Sequence, residues 1–269
     1  MSTRKEIVMI TGATDGLGRG VAFYLAKKDY SLILHGRNEN KGKALLKEIE
    51  KETGNKDLQY YNADFASIEE IKQLGHSILK DHKQLHVLIN NAGLGVEHSR
   101  RVSDDGYEMV FQVDYLATYI LTKMLLPLLG TTAPARVVNV ASAGQAPIDF
   151  RDPLLEQHWD GVQSYCQAKL AQIMLGMEWG SPQREPGVTI NSLHPASYMP
   201  TKIVTHMFTP QSSIEEGIDS VVNLATNTAL ESVSGRYFDR KRETKAMAQA
   251  YDTHARKQLI ALSEKLTGI

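Results

Sequence analysis

The chain has 269 residues, of which 42% are hydrophobic, so it can bury one large core and has little left for a second. Its 30 basic and 31 acidic residues give a net charge of -1, which excludes the broad positive field that binding of nucleic acid or an anionic membrane requires. We therefore expect a single domain with a small-molecule partner and no nucleic acid.

The amino-terminal residues lead directly into an apolar strand pattern without a secretory region, and no uninterrupted apolar run reaches membrane-spanning length. Cys166 is the single cysteine, which excludes an internal disulfide and fits a reducing compartment. Its position beside Tyr165 on a predicted helix favours packing over a redox role. We expect a cytoplasmic protein without a membrane span.

Short apolar runs alternate with helical patterns along the chain, which predicts a parallel sheet with helices on both faces. The predicted strands are Ile7–Ile10, Ser31–His35, Leu58–Tyr61, Leu85–Ile89, Arg136–Val140, Val188–Leu193 and Gly235–Phe238. The predicted helices are Gly18–Lys28, Glu39–Thr53, Ile68–His82, Tyr107–Leu129, Gln163–Trp179, Ile214–Thr226 and Lys245–Leu266. The sequence thus predicts a Rossmann-type, doubly wound α/β fold of seven parallel strands in one domain, residues 1–269, with ligands bound at the carboxyl ends of the strands.

A glycine-rich turn follows the first predicted strand and opens the first helix. Gly12, Gly16 and Gly18 give the spacing G-x-x-x-G-x-G, which differs from the usual G-x-G-x-x-G but meets the same needs for a tight turn and close backbone approach. Backbone amides at such a helix start bind pyrophosphate. The predicted coenzyme-binding residues of this turn are Gly12, Thr14, Asp15, Gly16, Leu17 and Gly18.

The end of the second strand indicates which coenzyme is bound. A protein that prefers NAD places Asp or Glu there for the ribose 2′-hydroxyl, whereas this chain has His35-Gly36-Arg37-Asn38. A guanidinium can hold a 2′-phosphate through paired charge-assisted hydrogen bonds. Arg37 therefore favours NADP(H), although a solvated arginine at a strand end is the alternative.

Two further strand ends carry candidate coenzyme ligands. Asp64 can accept a hydrogen bond from the adenine amino group, with Phe65 near the ring, or it can cap the helix that starts near Ser67. The small residues Asn91, Ala92 and Gly93 after the fourth strand allow the backbone to approach the coenzyme, or they form a plain turn.

Tyr165 and Lys169 are four residues apart on a predicted helix and so lie on one face. A nearby ammonium favours the phenolate form, so Lys169 predicts a lowered pKa for Tyr165. Ser142, which follows the fifth strand, is predicted to lie beside Tyr165 and Lys169 at the carboxyl ends of the strands. The arrangement predicts that Tyr165 donates a proton to a substrate oxygen. Y-x-x-x-K alone is also ordinary helix composition.

No metal is predicted, because the nine histidines, His194 included, lack ligand-like spacing.

Taken together, T-G-x-x-x-G-x-G at Thr11–Gly18, Asn90-Asn91-Ala92-Gly93, Ser142 and Y-x-x-x-K at Tyr165 resemble the short-chain dehydrogenase/reductase family. Three further segments resemble its branch of retinol dehydrogenases and NADPH carbonyl reductases, namely Phe111–Leu116, Tyr165–Ala171 and Ser234–Phe238. The resemblance implies that Ser142, Tyr165 and Lys169 are catalytic, and that Lys169 also holds the nicotinamide ribose.

The chain departs from the family pattern at two places. Asp114 stands where the family has a catalytic asparagine that supports a water relay, and its charge could strengthen protonation of Lys169 and alter the pH dependence. The loop after the sixth strand has Ala196 where the family has glycine. Pro195 and Thr201 in this loop are candidates for supporting the nicotinamide, with helix capping the alternative for Thr201.

The predicted substrate loops are residues 94–105, 143–162 and 195–213, and their apolar content suits a lipophilic or aromatic substrate, although many of these side chains could instead pack against the core. We expect an NADPH-dependent oxidoreductase that reduces a ketone or aldehyde. One alternative is an NADP(H)-binding sensor or partner protein with little turnover. Another is a nucleotide-sugar epimerase or dehydratase, which is less favoured because the chain lacks extra substrate architecture.

The helices 107–129 and 163–179 could form a homodimer or homotetramer, or they could be sheet-facing core.

Overall fold

The first strand, β1 (Ile7–Ile10), lies at the centre of one continuous sheet. The computed structural model describes residues 5–180, 186–205 and 207–269, so residue 206 of the third predicted substrate loop lies outside the described residues. The other strands are β2 (Ser31–Gly36), β3 (Leu58–Asn62), β4 (Val87–Asn90), β5 (Ala135–Val140), β6 (Val188–His194), β7 (Tyr237–Asp239) and β8 (Arg242–Thr244). Their spatial order is β3-β2-β1-β4-β5-β6-β7-β8.

Seven parallel strands confirm the predicted doubly wound fold, and the strand count needs one correction. β8 pairs with β7 in the antiparallel direction, through Tyr237 opposite Thr244, and makes the described sheet eight-stranded. Its three residues are exposed and too few to give a periodic pattern, so the sequence predicts neither a strand nor a helix for them.

The helices follow the strands in alternation, as a crossover topology requires. They are α1 (Gly16–Lys27), α2 (Glu39–Thr53), α3 (Ile68–Asp81), α4 (Ala117–Thr132), α5 (Gly161–Trp179), α6 (Lys202–Thr205), α7 (Ile214–Thr226) and α8 (Thr253–Thr267). A π-helical segment, Phe111–Leu116, leads into α4. α8 starts eight residues later than predicted, because Asp252 caps it there through the N–H groups of His254 and Ala255.

Alternating strand side chains divide the apolar core between the two faces of the sheet. Met9 and Ile33 pack with α3, α4 and α5, while Val8 and Leu32 pack with α1, α2 and α7. Each helix layer thus buries one sheet face, and the carboxyl ends of the strands remain available at one rim.

The predicted helices 107–129 and 163–179, for which subunit contact was one alternative, are covered by another helix of the same chain. α8 packs along them, with a 2.6 Å hydrogen bond between the Tyr115 and Ser263 hydroxyls and a 3.0 Å bond from the Tyr107 hydroxyl to the Leu266 carbonyl. The structure therefore supports the alternative that these faces are core. A homodimer or homotetramer stays a prediction.

One helical stretch in the described chain, Phe111–Thr132, is long and apolar enough to cross a membrane by length and composition alone. In the fold, 67% of its most apolar 18-residue window is buried. A buried core helix of a globular domain has these same properties. The predicted absence of a membrane span and the cytoplasmic location stay predictions.

Candidate active site

The glycine turn between β1 and α1 brings backbone into close contact with the loop after β4. Gly12 and Gly16 adopt positive φ angles of 65° and 50°, which glycine tolerates at little cost. A Cβ on Gly12 would lie 2.7 Å from the Ala92 Cα, and one on Gly18 would lie 2.4 Å from the Gly12 carbonyl oxygen. Only glycine fits at positions 12 and 18. Without a Cβ at these positions, the backbone amides at the start of α1 can face an anion.

The loop after β4 is tied to this turn by two side chains. The Thr11 hydroxyl accepts 3.0 Å hydrogen bonds from the N–H groups of Asn91 and Ala92. The Asn91 amide donates to the carbonyls of Thr11 at 2.9 Å and Gly12 at 3.2 Å. Asn91, Ala92 and Gly93 therefore lie beside the glycine turn, as the sequence predicts, and they form one rigid wall with it.

His35 supports the turn from beneath, and sequence reasoning missed it. Its Nδ1 accepts a 3.4 Å hydrogen bond from the Gly12 N–H, its Nε2 donates to the Ala63 carbonyl at 3.0 Å, and its ring stacks on Phe65 at 4.3 Å. Burial lowers the pKa of His35 to about 4, which keeps the ring neutral. Its position at the end of β2, one residue before Gly36, is the signal that could have identified it.

Arg37 occupies the place predicted for a 2′-phosphate ligand. It follows β2 directly and is exposed, and its guanidinium has no hydrogen-bond or ion-pair partner among the described residues. The preceding Gly36 packs against the side chain of Thr14, since a Cβ there would lie 2.9 Å from the Thr14 methyl. Arg37 therefore starts next to the glycine turn with its donors available.

Asp64 and Phe65 differ in their exposure to solvent. Ser67, not Asp64, caps α3 by accepting from the Glu70 N–H at 3.3 Å, so the capping alternative for Asp64 is wrong. One Asp64 oxygen accepts from the Ala66 N–H at 3.0 Å. Phe65 is only 5% exposed and stacks on His35, which places its ring in the core.

Tyr165 and Lys169 lie on one face of α5, as their spacing predicts, and Ser142 joins them from the end of β5. The Lys169 ammonium is 5.7 Å from the Tyr165 ring centroid, and a Cβ on Gly144 would lie 3.5 Å from the Ser142 Oγ and 3.8 Å from the Tyr165 ring. Ser142 also accepts from the Gly144 N–H at 3.0 Å, and its carbonyl accepts from the Tyr237 hydroxyl at 2.9 Å. The three predicted catalytic residues therefore meet at the rim.

Asp114 reaches the same point from the π-helical segment before α4. Its Oδ2 forms a 2.9 Å ion pair with the Lys169 Nζ, and its Oδ1 accepts from the Leu94 N–H at 2.7 Å. Both side chains are almost fully buried, at 0% exposure for Asp114 and 7% for Lys169. Gly93 lies against this pair, because a Cβ there would be 2.9 Å from the Asp114 Oδ2.

The pKa directions at this site follow from burial and pairing. Burial raises the pKa of Asp114, and Lys169 opposes this. Burial alone would lower the pKa of Lys169, yet the Asp114 carboxylate and Tyr165 raise it. Burial also raises the pKa of Tyr165, and Lys169 and Ser142 offset only part of that rise. The lowered tyrosine pKa predicted from the sequence is therefore wrong in direction, because desolvation outweighs the cation.

The loop after β6 closes over the glycine turn, and we call residues 195–205 the lid segment. Pro195 is buried, and the Thr201 methyl faces Gly16, where a Cβ would lie 3.2 Å from it. The Thr201 carbonyl accepts from the N–H groups of Val204 and Thr205 at 2.9 Å, while its hydroxyl has no partner among the described residues. Lys202, which sequence reasoning also missed, forms an ion pair with Asp15.

The apolar side chains of the predicted substrate loops differ in their exposure. Val96, Ile148 and Met199 are buried and belong to the core. In the loop after β6, Tyr198, Ile203, Met207 and Phe208 are 37–43% exposed. Tyr198 and Phe208 pack together at 4.9 Å, so the loop after β6 presents an apolar surface.

A metal has no evident place in the described part of the chain, where no group of three or more His, Cys, Asp or Glu side chains could hold one. His194 bonds to the Ser197 hydroxyl through Nε2 at 3.1 Å, and burial lowers its pKa. Cys166 is half-buried in α5 and unpaired, and burial raises the pKa of its thiol.

Comparison with known proteins gives matches to one family over most of the chain. Residues 6–213 match the family model for short chain dehydrogenase. The chain is 31% identical to mouse (Mus musculus) retinol dehydrogenase 13, covering 98% of this chain and 84% of that protein. An uncharacterised protein from Mycobacterium paratuberculosis matches with a TM-score of 0.80 at 23% identity, over 98% of this chain and 93% of that one. A short chain dehydrogenase from Escherichia coli CFT073, solved with NADPH, matches with a TM-score of 0.71 at 25% identity, over 88% and 96%.

Proposed function

Because the chain belongs to the short chain dehydrogenase family of oxidoreductases, we propose that it reduces a lipophilic ketone or aldehyde to the alcohol with NADPH. The observation that carries this proposal is the meeting of Ser142, Tyr165 and Lys169 at the rim, one loop away from the glycine turn. Proton donor and coenzyme cradle then face the same cleft, as hydride transfer with protonation requires.

The residues present fit a dinucleotide. Gly12 and Gly18 leave a cradle that a Cβ would fill, the amides at the start of α1 suit a pyrophosphate, and Arg37 offers its donors beside them. Asp64 offers a carboxylate at the next strand end. NADPH rather than NADH is supported by Arg37, by the lack of an acid at the end of β2, and by the NADPH bound to the similar Escherichia coli protein.

In this proposal, bound NADPH supplies the hydride that the carbonyl carbon accepts. Ser142 donates a hydrogen bond to the carbonyl oxygen and orients it. The Tyr165 hydroxyl then gives its proton to that oxygen, so the phenolic O–H bond breaks and the alcohol O–H bond forms. The Lys169 ammonium, 5.7 Å from the Tyr165 ring centroid, stabilises the tyrosinate that remains until it regains a proton.

The substrate class follows from the mouth of the site. The exposed Tyr198, Ile203, Met207 and Phe208 give the lid side an apolar surface that suits a lipophilic substrate. The name of the mouse relative, a retinol dehydrogenase, points to the same class of apolar alcohol and aldehyde.

The experiment follows NADPH absorbance with a panel of hydrophobic ketones and aldehydes. We expect turnover that falls by roughly a hundredfold or more in Tyr165→Phe, because loss of a general acid typically costs that much. Coenzyme affinity, measured by fluorescence titration, should be retained in this variant. Full activity in Tyr165→Phe would contradict the assigned proton donor.

One observation favours the alternative of a coenzyme-binding sensor with little turnover. Lys169 already faces three protein acceptors, the Asp114 carboxylate, the Val140 carbonyl and the Gln172 amide oxygen, within 3.2 Å. A ribose hydroxyl would have to compete with them. Tight NADPH binding with no turnover across the whole panel would support the sensor.

A further inference from the structure

Three protein groups lie against the Lys169 cation. Lys169 donates hydrogen bonds to the Val140 carbonyl and the Gln172 Oε1, both at 3.2 Å, and forms an ion pair with the Asp114 Oδ2 at 2.9 Å. Gln172 is in turn fixed by donating to the Thr118 hydroxyl at 3.1 Å. Among these acceptors only Asp114 carries a charge.

The Asp114 carboxylate, in direct contact with Lys169, changes the electrostatic field that Lys169 exerts on Tyr165. A lone ammonium acts on the phenol as a full positive charge, whereas an ammonium paired with a buried carboxylate acts as a dipole whose field falls off more steeply. Both members of the pair are shielded from solvent, so water does little to separate them. The cation therefore stabilises tyrosinate less than a lysine beside a neutral asparagine would.

The other groups that act on the site form no ion pair with Lys169 in the described part of the chain. Those whose electrostatic influence reaches the Tyr165 hydroxyl or Asp114 are Lys169, Cys166, Ser142, Tyr237 and Glu108. Glu108 is the other carboxyl group among them, and its oxygens accept from the Phe111 N–H at 2.7 Å and from the Trp159 Nε1–H at 3.3 Å. The charge balance at Tyr165 is thus set by Lys169 and Asp114.

We infer that Asp114 neutralises the Lys169 cation and thereby keeps Tyr165 in its proton-donating form, so that carbonyl reduction persists to more alkaline pH than an asparagine would allow. The inference rests on the proposed function and makes Asp114 a positioning residue that acts through Lys169. The direction agrees with the pKa of Tyr165, which burial raises and to which Asp114 adds.

The test is Asp114→Asn, which keeps one oxygen for the Leu94 N–H, removes the charge, and turns an amide NH2 that cannot accept a hydrogen bond toward Lys169. Reduction requires protonated Tyr165, so its rate declines as pH rises through the tyrosine pKa. Without the carboxylate, the unpaired Lys169 cation favours tyrosinate, so the pKa of Tyr165 should be lower. We therefore expect the decline in kcat/KM to move to a pH about one unit lower. This is the lower end of the range of pKa shifts that a nearby opposite charge produces. Glu108→Gln, which removes a buried carboxylate that does not touch Lys169, should move the decline much less.

A second measurement does not depend on turnover. The difference in tyrosinate absorbance between each protein and its Tyr165→Phe counterpart reports ionisation of Tyr165 directly. A Tyr165 transition at the same pH with and without Asp114 overturns the inference, whatever the activity. If Asp114→Asn does not fold, ionisation of Tyr165 in the native protein below the ordinary tyrosine pKa of 10.0 overturns it as well. Activity that survives Tyr165→Phe would instead refute the proposed function and leave this titration unaffected.

Discussion

Lys202 on the lid segment forms an ion pair with Asp15, the residue that caps α1 at the glycine turn. The two residues are 187 positions apart in sequence. The Asp15 carboxylate also accepts from the Gly16 N–H at 2.9 Å, and Lys202 lowers the pKa of Asp15. A negative charge thus lies where the proposed coenzyme places its pyrophosphate, and the lid supplies the cation that balances it.

Lys202→Met should therefore weaken NADPH binding, because the pyrophosphate would then meet an uncompensated carboxylate. The pair is exposed, so we expect a modest effect of about 1 kcal/mol, or roughly five- to tenfold in Kd. Fluorescence titration of NADPH at two salt concentrations measures it, and the difference should shrink at high salt.

The matched control for Lys202 is the double variant Asp15→Asn with Lys202→Met. It removes both charges and keeps a side-chain oxygen to cap α1, so affinity should return most of the way to that of the native protein. Equal losses in the single and double variants would show that Lys202 acts on the coenzyme without reference to Asp15.

Arg37 gives the second prediction, which concerns coenzyme preference. Arg37→Asp should remove the paired hydrogen bonds to a 2′-phosphate and supply a carboxylate for a 2′-hydroxyl. We expect the preference for NADPH over NADH to fall by roughly ten- to a hundredfold, as loss of about 1.5–3 kcal/mol in charge-assisted hydrogen bonds implies. The ratio of the two Kd values is the measurement.

Arg19 offers a control for that change. It is also an arginine on the surface near the amino terminus, but it pairs with Glu48 at 2.6 Å and lies over the Phe23 ring at 4.6 Å. Arg19→Met should leave the coenzyme preference unchanged. A protein that prefers NADH before any substitution would refute the role assigned to Arg37.

The sequence predicted the parts of this site that depend on local pattern. The periodicity of the strands and helices placed Ser142, Tyr165 and Lys169 at strand and helix ends that share one rim, because parallel crossovers allow no other arrangement. The glycine spacing likewise predicted a tight turn with close backbone approach, and a Cβ on Gly12 or Gly18 would indeed collide with neighbouring backbone.

The remaining features depend on contacts between distant segments, which no local pattern encodes. The π-helical turn at Phe111–Leu116 carries Asp114, and the pairing of Asp114 with Lys169 shows only in three dimensions. The pairing of Lys202 with Asp15 spans most of the chain. The direction of the Tyr165 pKa was wrong for the same reason, since burial and a neutralised cation are tertiary effects.

His35 gives the last prediction, on stability against pH. Its pKa in the folded protein is about 4, against an ordinary value of 6.5, because burial disfavours the charged ring. Below pH 6.5 the unfolded chain therefore binds a proton that the folded chain refuses until about pH 4. The free energy of unfolding should fall with falling pH across this window by up to about 1.4 kcal/mol per pH unit, and by about 3 kcal/mol in all.

The measurement is denaturant unfolding of the native protein and of His35→Gln at several pH values between 4 and 7.5. The readout is the slope against pH rather than the absolute stability, since the variant also loses the stacking on Phe65 at 4.3 Å. His82 and His194, whose pKa values burial also lowers, are present in both proteins, so their contributions cancel in the comparison. The slope of His35→Gln should be smaller by the equivalent of one proton. Equal slopes, or a His35 ring that titrates near its ordinary value in NMR spectra, would show that the ring is not held neutral beneath the glycine turn.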